Sequence, residues 1–313
     1  MYTLQNRYWC KEKPNLLIIK DSKELPLLMT KKMYNIFNIK HYNYIATDVN
    51  SLYQFIIKNP VDAIYTNITN IEHIKDLLKL NIPIYINYQI KSLKTKLVND
   101  NVFKNIYTLG GIKKTRLNIY SKRLLDIIFG IIGCIITVFL FLVLAPLIRL
   151  ESNGSAIFKQ KRVGINGRIF DFYKFRSMNQ NAEKSKYKLM EHNEMDSIMF
   201  KIEDDPRITK IGKFIRKTSL DEFPQFWLVL KGDMSVVGTR PPTLDEYEQY
   251  DLHHKSRLAC KSGITGLWQI TGKQREKNFE KIVELDNKYI KHSSVFYDLL
   301  IIFKTIFVML KNK

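Results

Sequence analysis

Short apolar runs alternate with helix-like segments along the first part of the chain. Four of these runs have the length and aliphatic content of buried strands: 16–19, 44–46, 63–65 and 82–86. Between them, 49–58 and 71–80 carry apolar residues at helical spacing, with Asp48 and Asn70 at the N-cap positions. Strands that alternate with helices predict an α/β domain with a parallel sheet over residues 1–116.

No glycine-rich phosphate loop follows the first apolar run. The segment 20–23 reads KDSK, where a dinucleotide-binding fold would place its glycines. Dinucleotide binding is therefore unsupported. A scaffold or regulatory role is the hypothesis for this domain, with ligand sensing as the alternative.

An uncharged stretch of 22 residues follows at 127–148. As a helix it would be about 33 Å long, which is enough to cross the hydrocarbon core of a membrane. Lys122 and Arg123 precede it and Arg149 follows it. Because basic residues tend to stay on the cytoplasmic side, two basic ends favour a helix that re-enters on the same side. Pro146 and the glycines Gly130 and Gly133 are the positions at which it would break. A spanning helix remains the alternative.

Asp126 stands four residues after Lys122 and three after Arg123. A helix would place these side chains on one face, which predicts an ion pair at the membrane interface. Lys122, Arg123, Asp126 and Pro146 are thus the predicted membrane anchor. It lies within a linker and membrane segment at 117–150.

The remaining chain, 151–313, has the pattern of a mixed α+β domain. A turn at 164–167 between two alternating runs, 158–163 and 168–173, indicates a β-hairpin. A basic helix is predicted at Lys210–Lys217. The apolar segment 295–310 is too short to span a bilayer and predicts a helix lying on the membrane, with a buried core helix as the alternative.

Candidate chemistry is concentrated at 216–241. Asp221 and Glu222 are adjacent carboxylates, which can act as nucleophile, general base or ligand of a hard metal ion. Arg216 and Arg240 flank them, and guanidinium groups match phosphate oxygens. Acids combined with arginines suggest phosphoryl chemistry with a divalent cation. The ordinary alternative is a solvated helix start capped by Thr218 or Ser219.

Composition narrows the function classes. The chain has 313 residues, a hydrophobic content of 45 % and a formal net charge of +20. Such a charge suits an anionic membrane, phosphorylated substrates or nucleic acid. Three distant cysteines form no disulfide framework, and His253 and His254 lack metal-site spacing.

Several strings in the second half resemble, in order, the motifs of the bacterial sugar transferases, which are monotopic polyprenyl-phosphate phosphoglycosyl transferases. They are FKQKRVG at 158–164, KFRSM at 174–178, DPRIT at 205–209, SLDEFPQ at 219–225, LKGDMSVVG at 230–238 and GITGLWQ at 263–269. The resemblance covers residues 121–313, and this many ordered blocks make it specific.

The resemblance implies a Rossmann-like domain ahead of a membrane-inserted α+β catalytic domain with a re-entrant N-terminal helix. It implies transfer of a phospho-sugar from a UDP-sugar to polyprenyl (undecaprenyl) phosphate, with Mg²⁺ as cofactor, release of UMP and initiation of a surface glycan. The implied location is the bacterial inner (cytoplasmic) membrane, with the catalytic domain facing the cytoplasm. No nucleic acid is expected as a partner, and a homo-oligomer remains open.

The resemblance also implies roles for single residues. Asp221 would be the nucleophile of a covalent phospho-sugar intermediate, and Glu222 would assist it as a base or through the metal, with both acids as metal ligands. The implied substrate-binding residues are Gln160, Lys174, Arg176, Arg207, Arg216 and Arg240.

The chain departs from the family pattern at five positions. Val138 and Phe139 stand where the family breaks its membrane helix with a Ser-Pro pair, and Leu228, Thr239 and Ser262 replace an Asn and two prolines. These departures leave the sugar unidentified.

Three rival hypotheses stay open beside this one. A catalytically weak membrane scaffold conflicts with the intact acid pair and its arginines, and a nucleic-acid-binding protein conflicts with the uncharged stretch. A sugar-only glycosyltransferase would release UDP rather than UMP.

Overall fold

Five strands form the sheet of the N-terminal part in the computed structural model of the chain. They are β1 (Asn15–Asp21), β2 (Asn38–Tyr44), β3 (Ala63–Thr66), β4 (Pro83–Asn87) and β5 (Ile106–Gly110), in the spatial order β2-β1-β3-β4-β5. The first four strands run parallel, and β5 pairs antiparallel with β4. The predicted α/β arrangement is therefore present, with one antiparallel strand added at an edge.

Among the described residues, two capped helices follow the strands β2 and β3, as the periodicity predicts. Helix α1 (Val49–Lys58) starts where the Asp48 side chain accepts a hydrogen bond from the Ser51 amide. Helix α2 (Ile71–Leu78) starts where the Asn70 side chain accepts from the Glu72 amide. Both caps satisfy amide groups that a helix start leaves unpaired.

The strand predicted at 44–46 is misplaced: β2 covers Asn38–Tyr44, Ile45 lies outside any strand, and Ala46 is outside the residues that the structure describes. β2 is an edge strand whose side chains are mostly exposed or half-buried. It therefore carries polar residues such as Lys40 and lacks the apolar run that marks the central strands. The apolar pattern also did not predict the strand β5.

The structure describes residues 13–21, 35–45, 48–66, 68, 70–87, 106–111, 115–180, 182–194, 198–200, 202, 204–271 and 278–311. The chain divides into two compact units. The first comprises Met1–Ile119, Ile165–Arg168 and Tyr250–Ala259, and the second comprises Tyr120–Gly164, Ile169–Gln249 and Cys260–Lys313.

The second unit combines many helices with two small sheets. Its helices are α3 (Arg116–Glu151, which begins in the first unit), α4 (Ala182–Lys186), α5 (Lys210–Lys217), α6 (Gln225–Lys231), α7 (Leu244–Glu248), α8 (Leu267–Ile270), α9 (Phe279–His292) and α10 (Val295–Lys311). Strands β6 (Ile157–Val163) and β7 (Ile169–Phe175) form an antiparallel hairpin, and β8 (Ser235–Val237) runs parallel to β9 (Gly263–Thr265). The predicted hairpin and the predicted helix α5 are confirmed.

Helix α3 contains the uncharged stretch and continues through Pro146. The predicted break, at Pro146 or at Gly130 and Gly133, is therefore not observed. The helix is long and apolar enough to cross a membrane by length and composition, and only 17 % of its most apolar window is buried inside the protein. Exposed apolar residues cover much of its surface: Ile128, Ile131, Ile132, Ile135, Val138, Phe139, Leu142 and Val143.

The predicted ion pair between Lys122 and Asp126 is wrong. Lys122 lies 2.7 Å from Asp298 of α10, and Asp126 accepts hydrogen bonds from the Ser235 hydroxyl and the Val236 amide. Both side chains are buried. A buried charge needs fixed polar partners, which distant segments of the fold supply here.

Arg123 also bonds inside the second unit. Its guanidinium donates to the carbonyls of Val229 and Leu230, each at 2.8 Å, where helix α6 ends. A cation at the C-terminus of a helix satisfies carbonyls that have no partner within the helix. The start of α3 is therefore fixed to the unit that carries the acid pair.

Helix α10 keeps an apolar face on the surface. Asp298 and Ile301 point into the fold and are fully buried. The opposite face exposes Phe296, Leu299, Phe303, Ile306 and Phe307. This amphipathic arrangement is the one that an interfacial helix requires.

Candidate active site

Asp221 and Glu222 lie in a short turn between two helices. After helix α5 the backbone of Ser219 adopts a left-handed conformation (φ 55°), which leads into a 3₁₀ turn at Leu220–Glu222. Asp221 is buried and Glu222 is half-buried. Because Ser219 makes no capping hydrogen bond with its side chain, the interpretation of the pair as an ordinary solvated helix start does not hold.

Lys174 of β7 bonds both acids. Its Nζ lies 3.0 Å from Asp221 Oδ2 and 2.8 Å from Glu222 Oε1. Burial alone would lower the pKa of Lys174, but the attraction of Glu222 and Asp221 outweighs burial and raises that pKa. The ammonium group therefore stays charged and aligns two carboxylates that would otherwise repel each other.

A cavity of about 370 Å³ opens beside the acid pair. Lys174 lines this cavity. Asp221 and Glu222 lie beside the cavity and are not among its lining residues. The acidic residues of the lining are Glu183 and Glu246, and its basic residues are Lys159, Arg162, Lys174, Arg176, Arg207, Arg216 and Arg240. A pocket of this size with an excess of positive charge suits a ligand with several phosphate oxygens.

Arg240 is held in a fixed orientation by a buried glutamate. Its two terminal nitrogens lie 2.9 and 3.1 Å from the two carboxylate oxygens of Glu246. Glu246 also accepts from the Thr243 amide and completes a capping box at the start of α7. Burial would raise the pKa of Glu246, but the charges of Arg240 and Arg162 dominate and lower it to about 2.

Arg207 and Arg216 reach the cavity from the segment before the acid pair. Arg207 forms a two-pronged ion pair with Asp205 (2.8 and 2.6 Å) and lies over the Phe200 ring. The Nε of Arg216 donates to the Ser177 hydroxyl at 2.8 Å. Burial lowers the pKa of Arg216 against the opposing attraction of Asp221. Both predicted arginines therefore lie in the lining of one cavity.

Gln160 and Arg176 also line the cavity, with side chains that bond to the protein. Gln160 accepts from the Nε of Arg162 at 3.1 Å. Arg176 donates to the carbonyls of Ser152 and Asn153, just beyond the C-terminus of α3. Arg176 thus ties the end of the long helix to the cavity wall.

Sequence reasoning did not select Arg162 and Glu246 as site residues. Arg162 lies in the cavity lining, stacks on Phe172 and donates to the Pro241 carbonyl at 2.8 Å. A local signal existed for Glu246, because Thr243 followed three residues later by Glu is the pattern of a capping box. No local pattern indicates that the same glutamate holds Arg240.

Glu246→Gln is expected to destabilise the protein in a pH-dependent way. The lowered pKa of Glu246 means that its charge stabilises the fold above pH 4.5, and that this contribution disappears as the pH falls towards 2. Thermal or denaturant unfolding should show a loss on the order of 3 kcal/mol at pH 7 that shrinks at pH 3. Glu248→Gln, at an exposed position of the same helix, is the matched control. An equal loss at both pH values would contradict the ion-pair explanation.

A second group of candidate metal ligands lies at Asp251, His253 and His254. The prediction that these histidines lack metal spacing is therefore wrong. However, His254 Nδ1 accepts a hydrogen bond from the Asp251 amide. A neutral imidazole that accepts at Nδ1 carries its proton on Nε2. In that state His254 offers no lone pair to a metal, so the geometry argues against this group as a site.

Asp221 and Glu222 are the better candidates for holding a divalent cation. Their carboxylates already converge on one positive centre, the Lys174 ammonium. Carboxylate oxygens are preferred ligands of Mg²⁺, which takes its remaining ligands from water and substrate phosphates. The donor set therefore fits the predicted cofactor.

The second part of the chain is similar to several known proteins. Over 193 residues the chain is 58 % identical to "Galactosyl transferase CpsE" of Streptococcus agalactiae, covering 62 % of this chain and 43 % of that protein. It is 40 % identical over 197 residues to "Undecaprenyl-phosphate galactose phosphotransferase" of Salmonella typhimurium, covering 62 % and 41 %.

A third relative, "UDP-glucose:undecaprenyl-phosphate glucose-1-phosphate transferase" of Klebsiella pneumoniae, is 41 % identical over 208 residues, covering 63 % of this chain and 42 % of that protein. The chain thus spans less than half the length of these three relatives. The family model "Bacterial sugar transferase" matches residues 117–312, which is more than half of the chain. The chain therefore belongs to the bacterial sugar transferase family.

Proposed function

We propose that this protein transfers a phospho-sugar from a UDP-sugar to polyprenyl phosphate and releases UMP. The observation that carries the proposal is a buried Asp221, aligned by Lys174, beside a strongly basic cavity. The names of the Salmonella and Klebsiella relatives, which specify undecaprenyl phosphate, support the same chemistry.

The cavity would bind the diphosphate of the donor. Arg207, Arg216 and Arg240 are each held by a partner within the protein, so their guanidinium groups are oriented before the substrate arrives. Fixed positive charges at the phosphates stabilise the charge that moves onto the leaving group. This compensates for the weak nucleophilicity of a carboxylate.

Asp221 would then act as the nucleophile. One of its carboxylate oxygens attacks the phosphorus that bears the sugar, and the bond from this phosphorus to the bridging oxygen of UMP breaks, with the electron pair leaving on UMP. An oxygen of polyprenyl phosphate next attacks the same phosphorus and displaces the aspartate. The product is a polyprenyl diphosphate sugar, the first lipid-linked intermediate of a glycan.

Asp221 and Glu222 would hold Mg²⁺ in this reaction. When bound, the ion neutralises phosphate charge and polarises the P–O bonds. Glu222 stays beside the nucleophile through the Lys174 ammonium, which bonds both acids. Lys174 thus keeps both carboxylates pointing at the same place.

We further propose that α3, which is not broken at Pro146, does not cross the bilayer and keeps both of its ends on the cytoplasmic face of the inner membrane. Near its start Arg123 bonds the end of α6, and at its end Glu151 accepts from the Lys210 and Ile211 amides of α5. Both ends are therefore attached to the same compact unit. A unit attached at both ends stays on one side of a membrane.

Cysteine labelling tests this topology. Leu117→Cys and Asn153→Cys, each in a chain without native cysteines, flank the apolar stretch at exposed positions. A membrane-impermeant maleimide should label both positions in inverted inner-membrane vesicles and neither in right-side-out vesicles. Labelling of the two positions from opposite sides would show a spanning helix.

The released nucleotide tests the proposed reaction. The full-length protein, solubilised in detergent, would receive undecaprenyl phosphate, Mg²⁺ and one UDP-sugar at a time. Release of UMP with one sugar supports the proposal and identifies the donor. Release of UDP would instead indicate a sugar-only glycosyltransferase, and no release from folded protein would favour the membrane scaffold.

A further inference from the structure

A buried carboxylate in the first unit bonds the turn of the hairpin that carries Lys174. Asp62, just before β3, is completely buried. Its oxygens accept from Arg168 Nη1 and Nη2 (2.7 and 2.5 Å), from Asn166 Nδ2 (2.7 Å) and from the Asn15 amide (2.7 Å). All four residues belong to the same compact unit. A bidentate ion pair of this kind fixes the orientation of the guanidinium group as well as its distance from the carboxylate.

The backbone of the turn itself has little conformational freedom. Asn166 and Gly167 both have positive φ angles, 54° and 92°. Asn166 is buried, and its carbonyl also accepts from the Val61 amide. Main-chain and side-chain bonds therefore hold the turn next to the start of β3.

The hairpin continues from this turn into the cavity. β6 and β7 form a two-stranded sheet that pairs from Val163↔Ile169 to Ile157↔Phe175. A two-stranded hairpin is only marginally stable alone, so its anchors decide where it lies. Lys174 stands about 17 Å along β7 from the turn, so a small tilt at the turn moves its ammonium group.

A second segment of the first unit is also bonded to the N-terminal residues. Lys255, which follows α7 in the chain, is buried and donates to the carbonyls of Ile56, Ile57 and Asn59 at the end of α1. The N-terminal domain thus holds two segments. One is the turn of the hairpin that carries Lys174, and the other follows the helix that carries Glu246.

We propose that Asp62 is a positioning residue for the transferase reaction and that the N-terminal domain is a Rossmann-like scaffold that holds the β6–β7 hairpin in its productive place. The inference rests on the proposed function, because its kinetic effect is exerted through Lys174. It assigns the N-terminal domain a part in catalysis without a ligand of its own.

Asp62→Asn in the full-length protein is the direct test. It keeps the shape of the side chain and removes the charge that Arg168 binds. We expect kcat for UMP release to fall about tenfold, because misplacement of a catalytic group by a fraction of an ångström has effects of this size. The KM for the UDP-sugar should change less than kcat, since Arg207, Arg216 and Arg240 lie outside the hairpin, whereas Gln160 and Lys174 move with it.

Asp76→Asn is the matched control, because Asp76 accepts from Tyr53 and Lys79 elsewhere in the first unit. Arg168→Lys keeps a single ion pair with Asp62. Its kcat for UMP release should therefore lie between the values for the wild type and for Asp62→Asn. Hydrogen exchange measured by mass spectrometry supplies a readout that does not need turnover: amides of 157–175 should exchange faster in Asp62→Asn and not in Asp76→Asn.

Wild-type exchange and wild-type kcat in Asp62→Asn would overturn the proposal. Equal losses in Asp62→Asn and Asp76→Asn would also overturn it, because they would indicate general destabilisation. If the wild-type protein releases no nucleotide with any donor, the proposed function fails, and the exchange comparison alone still decides whether Asp62 holds the hairpin.

Discussion

Asp221→Asn is expected to abolish UMP release, with a loss of at least about 10⁴-fold in kcat. Asparagine has nearly the same shape as aspartate and still offers an oxygen to Lys174, so the turn at Leu220–Glu222 should persist. It lacks the negative charge that a nucleophile needs to form a bond with the phosphorus of the donor. The loss should therefore appear without a matching loss of thermal stability, measured on the same preparation.

Asp233→Asn is the matched control for this substitution. Asp233 pairs with Lys231 in the turn after α6, so the same chemical change is made twelve residues further along the chain. It should leave UMP release within about twofold of wild type. Substantial turnover by Asp221→Asn would remove Asp221 from the nucleophile's role and favour Glu222 or direct transfer.

Lys174→Met is expected to lower kcat by about 10²–10³-fold, the second largest effect. Methionine preserves the length of the side chain and removes the ammonium group that bonds Asp221 and Glu222. The two carboxylates would then repel each other and turn apart. The attraction of Glu222 and Asp221 outweighs burial and raises the pKa of Lys174, so the wild-type protein should not lose activity through this group within the usual pH range of a charged lysine.

Lys161→Met tests whether the loss of any lysine from this hairpin lowers kcat as much as the loss of Lys174. Lys161 lies on β6 of the same hairpin, is exposed, and faces Asp171 at 3.6 Å. Its replacement should change kcat and KM by less than about threefold. A comparable loss in both lysine variants would indicate that total positive charge matters and that the bridge between the acids does not.

Local patterns predicted those elements whose signals are themselves local. Helices α1 and α5 match their predicted limits, because an N-cap residue and apolar spacing define each of them within ten residues. The β6–β7 hairpin was predicted because a turn sequence separates two alternating runs. The strand β2 was misplaced because an exposed edge strand has no apolar run.

Long-range pairings could not be predicted from local patterns. Lys122 has Asp126 one helical turn away, yet it pairs with Asp298, 176 residues later, because burial of both groups depends on how α3 and α10 pack. The bond of Asp62 to Arg168 spans 106 residues for the same reason. In the active site, the residue types at 221, 222 and 240 indicated phosphate chemistry, whereas the cavity that unites the arginines is visible only in the fold.

The most direct test of the proposed covalent mechanism is to supply the UDP-sugar and Mg²⁺ without any polyprenyl phosphate. We expect a burst of UMP that does not exceed one equivalent per active site, together with a mass increase of one phospho-sugar on the peptide that contains Asp221. Addition of undecaprenyl phosphate should then remove this mass. UMP release that requires the acceptor from the first turnover, with no modified peptide, would contradict the aspartyl intermediate and show direct transfer between the two substrates.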